Sequence, residues 1–192
     1  MEYKKLKSNK EKLFEGPLLL LPNRYADPRG FFMESWNSKT FNKIVKKTIN
    51  FVQDNHSKSK KYVIRGLHYQ LPPEDQGKLI RCISGKIFDV IVDLRRSSKT
   101  FLNWAGIFLD DKEHKQLWIP SGFAHGFLAL SESSEIIYKT TALWSKENER
   151  SLSWNDPELE INWPLNNHEP LISFKDLNSP NIANISKNDF FP

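Results

Sequence analysis

Apolar residues in this chain come in short bursts, not in long helical stripes. Leu18–Leu21 is the first, of strand length and closed by Pro22. Asp27-Pro28-Arg29-Gly30 has turn chemistry and leads into a second burst, Phe31–Trp36. The spacing then changes. Phe41, Ile44 and Val45 recur at helical intervals, so a short helix is predicted over Ser38–Lys47 with Ser38 as N-cap. Strands are predicted near Val52–Asn55, Tyr62–Tyr69, Lys78–Ser84 and Lys86–Leu94. In the last of these Phe88, Val90, Val92 and Leu94 alternate with Asp89 and Asp93, which predicts one buried face. Ser84-Gly85 predicts a hairpin turn between the last two strands. More strands are expected near Trp104–Leu109, Gln116–Ile119, Gly126–Leu130 and Glu135–Leu143. From Trp154 the chain turns to prolines and loops, with at most a short helix near Ser173–Leu177. Residues 1–14 read as a flexible, lysine-rich leader, and 15–192 as a single domain.

Composition narrows the class. The 192 residues fit one domain with a sizeable core. An apolar fraction of 39%, with 12% aromatic, is that of a globular protein. No apolar run approaches a membrane span, and no apolar segment follows the N-terminal lysines as in a secretory signal. A membrane is therefore not an expected partner. The single cysteine, Cys82, cannot form an internal disulfide and fits a reducing cytoplasm. Its neighbours are apolar, where a cysteine packs as a small hydrophobe. Net charge is +5, and residues 1–12, with five lysines and two glutamates, supply +3 of it. What remains on the folded body is too little for a nucleic-acid footprint, but it allows a mildly basic cleft for an acidic small molecule.

Many short strands without strand–helix alternation predict an all-β sandwich or barrel. Two features favour a double-stranded β-helix, the jelly roll of cupins, with a few short helices. Pro120-Ser121-Gly122-Phe123-Ala124-His125 places a histidine at the start of a strand, and His68 lies on an earlier one. In a cupin these two positions face each other across the interior.

The chemistry concentrates in Val63-Ile64-Arg65-Gly66-Leu67-His68-Tyr69-Gln70 and Gly77-Lys78-Leu79-Ile80-Arg81. A strand histidine is commonly a satisfied core residue. Beside Lys78 and Arg65, however, His68 has what proton abstraction next to a carbonyl needs. An imidazole can take a proton near neutral pH, and a cation can hold the negative charge left behind. Tyr138 is a candidate proton donor, and Asp176 a candidate to orient His68. An iron site of His68, Glu74 and His125, as in a cupin oxygenase, is a competing reading. It is disfavoured because Gln70 stands where a second histidine is usual, and because Lys78 and Arg65 crowd the place with positive charge.

Together these residues resemble the dTDP-4-dehydrorhamnose 3,5-epimerase family of the cupin fold. The resemblance runs from about Gly16 to Pro180. It is carried by Asp27-Pro28-Arg29-Gly30-Phe31-Phe32, Phe51-Val52-Gln53-Asp54-Asn55-His56-Ser57, Arg65-Gly66-Leu67-His68 and Gln76-Gly77-Lys78-Leu79-Ile80-Arg81. Further matches are Trp118-Ile119-Pro120, Gly122-Phe123-Ala124-His125-Gly126-Phe127, Tyr138-Lys139 and Trp154-Asn155-Asp156. The resemblance implies His68 as base, Asp176 as its partner, Tyr138 as acid on the opposite face of the sugar, and Lys78 as stabiliser of the enolate oxygen. It implies that Arg29, Glu34, Gln53, Asp54, Asn55, Arg65, His125, Glu149 and Lys175 hold the nucleotide, diphosphate or sugar. It further implies no metal or other cofactor, and a strand-exchanged homodimer in which Arg29 and Glu34 serve the partner's site.

The chain departs from the family pattern at Leu143-Trp144, where paired tyrosines are usual; Trp144 keeps a face on which a pyrimidine can stack. Strict alternation also puts Arg65 and His68 on opposite faces, unless Gly66 marks a bulge. Two alternatives stay open at this level: an epimerase acting at C3 or C5 alone, and a noncatalytic sugar-nucleotide binder.

Overall fold

The structure, a computed structural model, describes residues 1–192. Two six-stranded sheets, antiparallel but for one short strand, face each other as a jelly roll. The first sheet runs β1 (Glu2–Lys7), β2 (Leu13–Leu21), β10 (Gln116–Ile119), β7 (Lys78–Ser84), β12 (Ser133–Thr140) and β5 (Gln53–Lys60). The second runs β13 (Glu149–Ser151), β6 (Val63–Gln70), β11 (Phe123–Ala129), β8 (Lys86–Asp93) and β9 (Trp104–Asp110). The short strand β14 (Leu171–Ile172) adds to β6 in parallel. The strands β3 (Arg24–Asp27) and β4 (Gly30–Met33) form a separate hairpin, turning at Pro28-Arg29.

Three apolar layers hold this together. Ile80, Ile87, Ile91, Leu117, Phe127 and Ile136 fill the space between the sheets. Helix α1 (Ser38–Val45) lays Phe41 on Leu18, Leu20, Leu79 and Trp118, covering the outer face of the first sheet. On the outer face of the second sheet, Ile64, Leu67, Val90, Val92, Leu94 and Leu128 are covered by the C-terminal tail through Leu152, Leu159, Trp163, Ile182 and Phe191.

Four expectations are corrected by this arrangement. The supposed flexible leader is an edge strand: β1 pairs with β2, and Leu6 and Phe14 are buried. Its lysines occupy the exposed positions, which suits an unpaired sheet edge. Ser84-Gly85 is no hairpin turn, because β7 and β8 lie in different sheets. It is a corner, with Gly85 at φ 75° and its amide bonded to Asp111. Strand β8 is buried on both faces: Phe88, Val90, Val92 and Leu94 lie under the tail, and Asp89 and Asp93 are fully buried because their side of the strand, shared with Ile87 and Ile91, faces the other sheet and not water. Finally, the N-cap of α1 is Asn37, whose side chain accepts from the Thr40 amide; Ser38 is the first helical residue.

Candidate active site

Strand β6 sets the site. Ile64, Leu67 and Tyr69 all belong to the tail-covered core. A spacing of three between Ile64 and Leu67 shows that one extra residue has been inserted into the alternation. The pairing with β11 shows the same: His125 opposes His68, whereas Phe127 opposes Arg65. Gly66, at φ 107°, makes the bulge sterically possible, for a Cβ there would lie 2.6 Å from both Gly126 Cα and His125 O. The bulge brings Arg65 and His68 onto one cavity, which strict alternation forbids.

Asp176 comes from the tail. The short helix α2 (Phe174–Leu177) is capped by Ser173, which accepts from the Asp176 amide at 3.1 Å. This holds the carboxylate against β6, where Oδ1 lies 2.6 Å from His68 Nε2 and Oδ2 accepts from the Gly66 amide at 3.3 Å. Burial works to raise the Asp176 carboxyl, but its bonds to His68, Gly66 and Ser173 outweigh that and hold it below the usual carboxylate range. An ionised Asp176 accepts Nε2–H and leaves Nδ1 of His68 as the basic nitrogen. The His68 side chain is 30% exposed and that of Asp176 only 5%, so the imidazole reaches the cavity while the carboxylate stays behind it.

Lys78, at the start of β7 in the facing sheet, is buried; its Nζ donates to His68 O at 3.3 Å. Burial brings its ammonium down to about 8, against the opposing pull of Asp89 and Glu149. Tyr138, from β12, is largely buried, and desolvation raises its phenol above the ordinary value, with Arg65 and Glu149 pulling in opposite directions. It therefore stays a neutral donor at physiological pH. His125 is clamped through Nε2 to both oxygens of Asp89, each at 3.0 Å.

The cavity has two compartments. One, of about 510 Å³, is lined by Ser57, Val63, Arg65, His125, Phe127, Lys175 and Asp176 among others. The second, of about 140 Å³, is lined by Gln53, Asn55, Gln70, Gln76, Trp144 and Glu149 among others. His68, Lys78 and Tyr138 are the three residues common to both, at the waist. Lys175 and Glu149, one in each compartment, pair at 2.5 Å.

Three expected site residues lie elsewhere. Asp54 faces the other side of β5 from Gln53 and Asn55, pairs with Lys139 at 2.9 Å and lines a depression on the outer face; period-two alternation requires this. Arg29 sits at the tip of the β3–β4 hairpin, 90% exposed and paired with Asp27. Glu34 follows that hairpin, also exposed, and accepts from Asn37. Neither reaches this chain's own cavity. No three His, Cys, Asp or Glu side chains converge as a metal-binding group, so the His68, Glu74 and His125 triad is not assembled. Asp89 was the residue missed. Its signal was present, since on its face of β8 it is flanked by Ile87 and Ile91, a setting in which a carboxylate needs a partner.

Comparison with known proteins agrees with this geometry. Residues 11–184 match the family described as dTDP-4-dehydrorhamnose 3,5-epimerase. The dTDP-4-dehydrorhamnose 3,5-epimerase of Shigella flexneri is 53% identical over 161 residues, covering 84% of this chain and 88% of the relative. That of Pseudomonas aeruginosa is 50% identical over 175 residues, covering 91% and 94%. The crystal structure of the dTDP-6-deoxy-D-glucose-3,5-epimerase of Legionella pneumophila, in complex with dTDP-4-keto-L-rhamnose, superposes with a TM-score of 0.91 at 38% identity, covering 99% of this chain and 98% of that one.

Proposed function

Because the chain belongs to the dTDP-4-dehydrorhamnose 3,5-epimerase family, we propose that its two-compartment cavity performs that family's double inversion with His68, Lys78 and Tyr138 as the acting groups. The enzyme is an isomerase that converts dTDP-4-keto-6-deoxy-D-glucose to dTDP-4-keto-L-rhamnose. The protons on C3 and C5 are both α to the C4 ketone. His68 removes either one, and the electron pair moves onto the C4 oxygen. Lys78 holds that oxyanion, with Arg65 beside it. One oxyanion position therefore serves both inversions. Tyr138 then returns a proton to the carbon from the opposite face; the sugar keeps its atoms with inverted configuration, and proton exchange with solvent resets the imidazolium of His68 and the phenolate of Tyr138 before the next inversion.

The observation that carries this reading is the waist. Base and acid come from opposite sheets, β6 and β12, and with Lys78 they line both compartments where these meet. A pyranose at that point has His68 on one side and Tyr138 on the other. Arg65, His125 and Lys175 suit the anionic part of the substrate, and Gln53, Asn55, Trp144 and Glu149 line the second compartment. The test is turnover in deuterium oxide, followed position by position. Label is expected at both C3 and C5, with the L-sugar formed. Label at one carbon alone would assign the protein to the single-centre epimerases, and no label would overturn the reading.

The working unit in this proposal is a cytoplasmic homodimer. It is supported by a hairpin that carries Arg29 away from its own cavity, with Tyr25, Phe31 and Phe32 exposed, and by β5 as an open sheet edge. If Arg29 completes the partner's site, two inactive variants must rescue each other. Arg29→Ala mixed with His68→Asn, after subunit exchange, is expected to regain on the order of a quarter of wild-type activity, because mixed pairs hold one intact site. No recovery in pairs verified as mixed, or an active monomer in light scattering, would sink the assignment.

A further inference from the structure

The segment Ala142–Ser145 carries Trp144 between β12 and β13 and belongs to no helix or strand. Its backbone groups must find partners outside a ladder, and three glutamine side chains provide them. Gln76 Nε2 donates to Ala142 O at 2.9 Å. Gln70 Nε2 donates to Leu143 O at 3.0 Å. The Trp144 amide donates to Gln53 Oε1 at 3.0 Å, and the Ser145 amide donates to Gln70 Oε1 at 2.9 Å. Four consecutive residues are thus held, one backbone group each, by side chains from β5, β6 and the loop before β7.

Gln70 is the hub. It is 3% exposed, and its Nε2 also donates to Glu74 O at 2.5 Å, which ties in the loop that carries Gln76. A carboxamide is costly to bury unless bonded, and here both its donor and its acceptor ends are engaged. Gln53 is engaged too: Oε1 by Trp144 and Nε2 by Asn55 Oδ1 at 3.0 Å. All three glutamines line the second compartment together with Trp144, a residue that is 58% exposed. An aromatic face at the far end of a compartment that begins at the catalytic trio suits a flat ring.

We propose that Gln53, Gln70 and Gln76 form a clamp that fixes Trp144 as the stacking platform for the nucleobase end of the substrate. This rests on the function given above. Gln70 and Gln76 are positioning residues that act through Trp144 and not on the sugar. Without the clamp the segment has to be ordered when the ligand binds, and that cost is subtracted from affinity.

The test is a pair of double-mutant cycles, Gln70→Leu with Trp144→Ala and Gln76→Leu with Trp144→Ala. Each variant is assayed for kcat, KM, the Kd of dTDP by calorimetry, and its thermal midpoint. Gln70→Leu is expected to raise KM and the dTDP Kd about tenfold, the size of one or two lost hydrogen bonds, with kcat held. Gln76→Leu is expected to shift both the same way but less, because Ala142 O keeps a 2.8 Å bond from Thr140 Oγ1. Neither change is expected to add to Trp144→Ala, since a residue acting only through Trp144 has nothing left to position. Full additivity, or a fall in kcat with KM and Kd unmoved, would overturn the clamp. If Gln70→Leu does not fold, the Gln76 cycle decides. Should wild type fail to turn over the ketosugar, the function is wrong, while the dTDP cycles still judge the clamp.

Discussion

His68→Ala is expected to lower turnover, and deuterium exchange at both C3 and C5, by roughly 10²–10⁴-fold, the contribution of a positioned general base. The two carbons should fall together, since a single imidazole at the waist serves both. His68→Asn is expected to do the same while keeping a polar side chain beside Asp176. Asp176→Asn should slow exchange less. It leaves the base in place and removes the carboxylate that fixes its tautomer through the 2.6 Å bond to Nε2. Exchange rates in deuterium oxide check this. Survival of exchange at one carbon in His68→Ala, at near wild-type rate, would mean that a second base operates there.

Lys78→Ala is expected to cost about 10²–10³-fold in kcat, roughly 3–4 kcal/mol, at both carbons alike, the loss typical of one oxyanion donor. The same residue predicts a pH dependence. In the fold its ammonium deprotonates at about 8, against 10.5 for an unburied lysine. Only the protonated form can stabilise the enolate, so kcat/KM of the wild type should fall as pH rises through about 8. Lys78→Arg keeps its charge, so any activity it retains should lack that alkaline limb. Stability moves the other way. Between about 8 and 10.5 the unfolded chain binds a proton at Lys78 that the native state does not, so this residue favours folding more as pH rises there. A kcat/KM profile flat to pH 10 in the wild type would show that the Lys78 ammonium is not lowered in the working enzyme, and near wild-type turnover in Lys78→Ala would remove it from the oxyanion site.

The sequence made ten of the fourteen strands visible and singled out His68, Tyr138 and Lys78 as candidates for base, acid and cation, because period-two patterning and motif chemistry are local. What it hid was set by contacts between distant segments. Whether Gly66 bulges depends on how close β11 comes, and only that decides whether Arg65 joins His68. Gly85 has the chemistry of a hairpin turn, and nothing near it says that its two strands belong to different sheets. Asp89 looked like a solvated position, but its side of β8 is the one that faces the other sheet, beside Ile87 and Ile91. Asp54 sits between two cavity residues in sequence, and motif adjacency concealed that the strand turns it away. The lysines of β1 suggested a loose end because charge marks an exposed edge strand as readily as a frayed terminus.

The tail has a consequence for the order in which this protein becomes an enzyme during synthesis. The proposed base, oxyanion cation and acid, His68, Lys78 and Tyr138, all emerge by residue 138, but Asp176, the carboxylate bonded to His68, comes later. The residues that seal Val90, Val92, Leu94 and Leu128 are spread from Leu152 to Phe191. A nascent chain halted before them carries most of its catalytic groups and an open apolar sheet face, the kind of surface that draws chaperones or self-association. Residues 152–191 both cover that face and carry Asp176 to His68, so solubility and activity are expected to mature together as this segment docks.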